Sequence, residues 1–336
     1  MKHITYIQKN KEQLILRFEI IRFIREFFWS QNFLEVETPL ILRLPGQEPY
    51  LTPIMVGVKN ERGESFQGYL HTSPEYTMKK MLAAGFDRIF SICKCFRDRE
   101  SFGGAHNPEF TMVEWYRTEE DFYSLMDDVE NLFGFVGGKI EIGGLKNRNF
   151  GEWKRISMRD LWIESIGVDL DLCLTVETMR EMCLARGYTP CDGERYEDLF
   201  FRIFLNEIEP KLAKMGNIII YNYPAQMAAL AKLSDSDLRY AERFEVYVDG
   251  MEIANAFSEL TDECEQLKRL EEERNLRKEL GRDVYDVDME FIDAVKHMPK
   301  SAGTALGVDR MVMVLLGCQE IDDVIGLPMS LLMDKR

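Results

Sequence analysis

"FRDRESFGGAHNPEFTMVEWYR", residues 96–117, is the stretch from which the fold is read. Its second half alternates as a strand does, which sets Phe110, Met112, Glu114 and Tyr116 on one side. Three of these side chains suit a core, and the fourth is a carboxylate. An unpaired buried carboxylate costs on the order of several kcal/mol, so Glu114 calls for a cation. The first half supplies a glycine-bearing loop, and the whole stretch predicts two strands around it.

Upstream, Leu14, Phe18, Ile21, Ile24 and Phe28 recur at helical spacing between Lys11 and Trp29. "FLEVETP" follows as a short strand stopped by Pro39, and "LRLPGQEPY" is a loop. Residues 54–58 and 66–70 read as two strands. A helix is expected from "TSPEYTMKKMLAAG", with Ser73 as N-cap, Pro74 at the first position, Glu75 in the first turn and Gly85 closing it. Downstream, residues 119–134 and 157–215 are mostly helical by pattern, and "NIIIYNYP" is a buried strand. "RFEVYVDGMEIANAF" is a hairpin turning at Asp249-Gly250 in type I′ geometry. "DECEQLKRLEEERNLRKELGR" reads as a solvated helix laced with i,i+4 charge pairs. "GTALGVDRMVMVLLG" is a glycine-rich strand entering an apolar helix. Antiparallel strands with helices inserted between them make the fold α+β. One domain over residues 1–336 is expected, with a mostly helical insertion at about 119–215.

Bulk properties narrow the function. The 46% hydrophobic content supports a sizeable core, and no apolar run approaches the ~20 residues that span a bilayer. The N-terminus lacks an apolar signal core, which points to the cytoplasm and away from membranes. Seven cysteines follow no disulfide or zinc spacing, and Cys93 and Cys95, in an apolar run, read as structural thiols. A net charge of −16 disfavours extended nucleic-acid contact.

Phosphate-loop, dinucleotide-fold, zincin and nucleophile-elbow signatures are all absent. The hairpin instead sets Val248 opposite Met251 and Glu245 opposite Ala254. Glu245 and Glu252 then become diagonal neighbours roughly 7–8 Å apart, a pair suited to Mg²⁺ holding phosphate oxygens. On the hairpin alone, two solvated glutamates are the more ordinary arrangement. Asn255, Phe257 and Glu259 again place a carboxylate beside an aromatic, as a box for a cation would, although an internal Lys or Arg would serve equally. Strict alternation sends Asn255 and Glu259 to the face opposite Glu252, so one shared pocket requires a bulge. Arg97, Glu100, His106 and Asn107 flank the loop of the opening stretch. Arg310 follows Gly303 and Gly307, so two arginines are available to clamp phosphate.

"FLEVETP", "FRDRE…HNPEFTMVEWY" and "GTALGVDR" resemble motifs 1, 2 and 3 of the class II aminoacyl-tRNA synthetases, over about residues 12–328. "NPEFTMVEWY" and "EIANAFSEL" are similar to the lysyl branch in particular. Within that branch the chain looks like the truncated paralogues that lack an anticodon-binding domain and aminoacylate elongation factor P with (R)-β-lysine. The resemblance implies a catalytic domain built on an antiparallel sheet flanked by helices, using ATP with Mg²⁺. It implies that Arg97 holds the α-phosphate, that Glu100, Asn107 and Phe110 seat the adenine, and that His106 and Arg310 face the outer phosphates. Asp98, Ile253 and Gly307 would join the nucleotide residues, and Glu245 and Glu252 would bind Mg²⁺. Glu114, Tyr116 and Glu259 would meet the ε-ammonium, with Ser73, Pro74, Glu75 and Asn255 at the other amino group. A homodimer through "FLEVETP" and the helix before it is also implied.

The lysyl-tRNA synthetases carry Gly-x-Gly-x-Gly before the final Asp-Arg, whereas this chain has Ala305 in the middle. That methyl would favour an amine one carbon further along the substrate, a discrimination of about 1–3 kcal/mol. Two further departures are visible: "ESFGGAH" is one residue longer and lacks the usual arginine, and Ala256 replaces a glycine. The rival readings are a lysine-activating enzyme that charges tRNA or another acceptor, and a non-catalytic regulator that kept the fold.

Overall fold

Strands run along the chain as β1 (Leu34–Glu35), β2 (Ile41–Leu42), β3 (Met55–Lys59), β4 (Ser65–Leu70), β5 (Arg88–Phe96) and β6 (Glu109–Thr118), then β7 (Lys154–Ser157), β8 (Asn217–Pro224), β9 (Tyr240–Val248), β10 (Met251–Ser258) and β11 (Ser301–Gly307). The structure, a computed structural model, describes residues 2–140 and 150–334. The parts of the single-domain expectation that fall on Met1, 141–149 and 335–336 lie outside the described residues.

Eight strands form one sheet in the order β1-β5-β6-β11-β10-β9-β8-β7, and β2-β4-β3 form a small second sheet. The large sheet is antiparallel in its interior, with the parallel pairs β1–β5 and β7–β8 at its two edges. The α+β expectation holds, and the family's antiparallel sheet is present. Its back face carries Val113, Trp115, Phe244, Val246, Ala254, Ala256 and Leu306, which alternate with the front-face residues. This face is covered by the helices Lys11–Ser30, Phe122–Lys139 and Val308–Leu316, and the shared core is the largest in the chain. Each fully buried Phe or Leu there contributes about 1.5–3 kcal/mol.

The helical segment between β7 and β8 has a core of its own, centred on Trp162, Phe200, Phe204 and Met179. It reaches the sheet through Ile218, Ile220 and Tyr223 of β8. Strand β7 and the N-terminal helix Lys2–Lys9 were not legible in the sequence, being short and, for the helix, without a single buried residue.

Two local expectations are corrected. The helix after Ser73 is Glu75–Ala83 with Pro74 as its N-cap, one residue later than the capping pattern suggests, and Ser73 Oγ accepts from the Glu75 N–H at 3.4 Å. The helix Glu263–Glu279 is not simply a solvated face, because Gln266, Leu270, Leu276 and Arg277 are buried. Arg277 donates to the carbonyls of Glu48, Leu51 and Asp283, so its charge pins three loop carbonyls instead of facing water.

Candidate active site

Asp249 and Gly250 both have positive φ, and Val248 pairs with Met251, as the type I′ turn requires. The register then slips between Glu252 and Ala254, so Glu245 faces Asn255 and not Ala254. The extra residue is Ile253, and this bulge answers the alternation problem. It brings Glu252, Asn255 and Phe257 to the same face as Arg243 and Glu245.

On this front face the side chains line up in rows. Ser91, Glu114, Ala305, Asn255 and Glu245 form one row, and Ile89, Tyr116, Gly303, Phe257 and Arg243 form the next. A cavity of about 400 Å³ opens over the rows. Its wall includes Ser73, Glu75, Arg97, Glu100, His106, Asn107, Phe110, Glu114, Tyr116, Glu252, Ile253, Asn255, Ala305, Gly307 and Arg310. Motifs far apart in sequence therefore converge on one space.

Glu114 lies at the floor, 2% exposed. Its Oε1 accepts from the Tyr116 hydroxyl at 2.5 Å, while its Oε2 is buried with no hydrogen-bond partner among the described residues. Burial, reinforced by the nearby Glu75 charge, pushes the Glu114 carboxyl well above the usual carboxylate range. Glu259 is different. Its partner is internal: Lys79 Nζ lies 2.6 Å from Glu259 and 2.6 Å from Glu75. The ammonium is 5.0 Å from the Phe257 ring centroid and 5.9 Å from that of Phe291. Burial works against this charge, but the two carboxylates outweigh it and raise the Lys79 pKa. The aromatic-and-carboxylate box at Asn255–Glu259 is thus already filled by the chain's own lysine, and Glu259 is not part of the cavity wall.

At the other end, the Arg97 guanidinium carbon is 4.9 Å from the Phe110 ring centroid, and its Nε is buried without a hydrogen-bond partner among the described residues. Arg310 donates to the Glu252 carbonyl at 2.9 Å and lies 3.4 Å from the Glu252 carboxylate. His106 sits 3.0 Å from Glu100, and this contact holds the Glu100 carboxyl below the usual range. Asn107, which the resemblance places at the adenine, lines the cavity, while its side-chain amide is engaged within the chain. It donates to the Glu109 carbonyl and accepts from the Met329 N–H, so it anchors the C-terminal segment.

Besides Glu259, three expected site residues are not brought to the wall. Asp98 is exposed, and its N–H donates to the Thr52 carbonyl at 2.7 Å. Pro74 is buried as the helix cap. Glu245, one of the two expected Mg²⁺ ligands, has both oxygens engaged: Oε1 by Arg243 at 2.7 Å, Oε2 by the hydroxyls of Tyr223 at 2.7 Å and Tyr247 at 2.8 Å. The donor set fits Mg²⁺ through Glu252 together with phosphate oxygens, since the ion commonly takes one or two protein carboxylates. Burial and the neighbouring Glu245 charge raise the Glu252 pKa, a strain that a cation would relieve. For Glu245 to join, Arg243 would have to release it.

Sequence reasoning missed Lys79, Arg243, Glu48 and Glu273. It also missed the buried pair Arg17–Asp309, which ties the Lys11–Ser30 helix to the helix of motif 3 at 2.5 Å. Asp309 additionally accepts from the Thr111 N–H of β6 at 2.5 Å. Glu48 and Glu273 line the cavity. Burial, then the Glu48 charge, pushes Glu273 up to about 8 from 4.5. The folded state keeps a proton there that the unfolded chain loses, so this contribution to stability is lost as pH rises from about 4.5 through about 8. The wild-type Tm is expected to fall more steeply between pH 6 and 9 than that of Glu273→Gln, as followed by thermal denaturation.

Gly303 is required by close approach. A Cβ there would stand 2.3 Å from Tyr116 Cε1 and 2.7 Å from Glu259 Oε1, whereas one at Gly307 meets nothing nearer than 3.8 Å. Gly303→Ala is expected to cost about 1–3 kcal/mol through displacement of the Tyr116 ring. Gly307→Ala should cost clearly less. Denaturant midpoints of the two variants check the contrast.

The chain matches the model of the tRNA synthetases class II (D, K and N) over residues 3–331. It is similar to the elongation factor P–(R)-β-lysine ligase of Yersinia enterocolitica serotype O:8, at 38% identity over 94% of this chain and 95% of the relative. The like-named ligase of Histophilus somni strain 2336 is 36% identical over 94% of each chain. That of Pectobacterium carotovorum is 37% identical over 93% of this chain and 94% of the relative.

Proposed function

The chain belongs to the class II tRNA synthetases of the D, K and N group, an ATP-dependent ligase by its family, and we propose that it activates (R)-β-lysine, and lysine more weakly, as an aminoacyl adenylate and passes it to a lysine side chain of elongation factor P. The observation that carries this reading is Glu114, a buried carboxylate at the cavity floor whose Oε2 faces no hydrogen-bond partner among the described residues. The printed names of the relatives supply the acceptor and the β-isomer.

In the first step a carboxylate oxygen of the amino acid attacks the α-phosphorus of ATP, and the bond to pyrophosphate breaks. Arg97, with its unused Nε, and Arg310 line the cavity and would stabilise the charge that develops on the phosphates. When bound, Mg²⁺ would be held by Glu252 and would neutralise the phosphate oxygens. In the second step the neutral amine of the acceptor lysine attacks the acyl carbon, AMP leaves, and one proton is released. Positioning and electrostatics suffice for both steps, without a protein nucleophile. Ala305 stands beside Glu114 in the front-face row and lines the cavity, which supports its role in choosing the β-amine.

ATP–pyrophosphate exchange tests the reading. Exchange should depend on (R)-β-lysine and, more weakly, on lysine; active, folded protein that supports neither would overturn it. Charging of tRNA at comparable efficiency would favour the tRNA-directed rival. Two further readings belong to the proposal. Among the described residues no helix is long and apolar enough to cross a membrane, which fits a cytoplasmic enzyme. Phe18, Trp29, Leu34 and Ile41 are each about half exposed or more along the first long helix and the strands after it, a surface suited to a homodimer. Light scattering on the eluting protein would measure its mass.

A further inference from the structure

Cys93 and Cys95 read as structural thiols in the sequence because nothing in their spacing supplies a third ligand. The fold supplies one. His71, at the end of the β4 segment, lies against them, and one imidazole nitrogen and both sulfurs lie within 4.8 Å of one another. We propose that His71, Cys93 and Cys95 form a site for one soft divalent cation, with zinc the biological candidate, behind the amino-acid wall of the cavity.

The geometry is that of a ligand set. Two thiolates on one tetrahedral zinc, each at about 2.3 Å, stand about 3.8 Å apart. The Cys93 and Cys95 sulfurs are 3.9 Å apart, and Cys95 Sγ is 3.9 Å from His71 Nε2. His71 and Cys95 are 2% and 0% exposed. Nε2 donates to the Lys94 carbonyl at 2.6 Å, so a cation would either displace that hydrogen bond or take the lone pair of Nδ1, which is buried with no hydrogen-bond partner among the described residues. A disulfide is the poorer alternative. Alternate residues of a strand have Cα atoms about 6.7 Å apart, at the far limit for a disulfide. The backbone cannot close that distance, because Cys93 and Cys95 are held in register with Met112 and Phe110 of β6.

Two thiolates, one imidazole and a divalent cation make a neutral group, so binding would release the thiol protons without leaving net charge buried. Three protein ligands leave a fourth position for water. An ion here would fasten β5 to the segment whose next two residues, Thr72 and Ser73, line the cavity. The proposal does not depend on which amino acid the cavity takes.

The test uses the full chain with the exposed thiols removed, as Cys191→Ser/Cys264→Ser. Chelator-treated protein is titrated with Co²⁺, and thiolate-to-cobalt charge transfer is followed in the near ultraviolet. The expected result is saturation at one Co²⁺ per chain, displacement by Zn²⁺, and loss of the band in Cys93→Ser. Cys93 is the less buried of the pair, and circular dichroism verifies that the variant is folded. A titration without a charge-transfer band, or a band that survives Cys93→Ser, overturns the proposal.

Discussion

Lys79→Met is expected to destabilise the protein by about 3–5 kcal/mol, the cost of removing one partner from a buried charge pair. The lysine is 2% exposed and holds Glu75 and Glu259 together between two aromatic rings. Without it, both carboxylates must either stay charged in a desolvated site or take up protons. A buried carboxylate keeps its proton well above the ordinary pKa while the unfolded chain loses it, so the penalty should grow as pH rises from about 4.5. Adding Glu259→Gln to Lys79→Met should recover part of the loss, since one of the two stranded charges is gone. Urea denaturation of the two single variants and the double variant, at pH 5 and pH 8, measures this coupling. A loss below about 1 kcal/mol at pH 8 would mean that the lysine is not the internal counter-charge described here.

The second large effect concerns Glu114 and has the opposite sign for stability. Glu114→Gln keeps the shape and keeps an oxygen for the Tyr116 hydroxyl, but it removes a carboxyl that is costly to ionise where it is buried and whose Oε2 has no hydrogen-bond partner among the described residues. In the absence of substrate the variant should therefore be at least as stable as wild type at neutral pH. Activity should move the other way. Removing one member of a buried, hydrogen-bonded charge pair costs about 2–5 kcal/mol, or about 30- to 5,000-fold in kcat/KM for the amino acid. The KM for ATP should be nearly unchanged. A purely structural carboxylate would give the reverse pattern, with stability lost and kcat/KM preserved.

Much of this was visible before the structure. Strand alternation in residues 109–118 sets Phe110, Met112, Glu114 and Tyr116 on one face, and all four line the cavity, although residues 111–117 are buried on both faces of the sheet. The Asp249-Gly250 turn was equally legible, since only a few residue pairs suit positive φ at both positions. The need for a bulge was readable from the conflict between Glu252 and Asn255, but its position at Ile253 was not. Register depends on the neighbouring strand, which local sequence does not report.

What sequence could not decide was which charge meets which. Glu114 and Glu259 look alike in their strands, each beside an aromatic residue. One is left open and the other is closed by Lys79, a lysine from a helix whose amphipathic pattern gives no hint of a buried cation. Glu245 likewise looked like half of a metal pair until Arg243, two residues away on the same strand, was seen to occupy it. The resemblance puts Asp98 and Asn107 at the nucleotide, and of the two only Asn107 lines the cavity. The first faces solvent and the second secures the C-terminal segment. Long side chains can reach several partners, and only tertiary packing selects one.

The central claim is that the vacant oxygen of Glu114 receives the ammonium of a small diamine amino acid. Calorimetric titration of (R)-β-lysine into wild type and Glu114→Gln, in two buffers of different ionisation enthalpy, tests it directly. Because burial raises the Glu114 pKa, pairing with an ammonium should ionise the carboxyl and release protons on binding to wild type. The variant should bind about 30-fold to 5,000-fold more weakly and release none, and an analogue lacking the terminal amine should bind poorly to both. Equal affinity and equal proton release in wild type and Glu114→Gln would contradict the account.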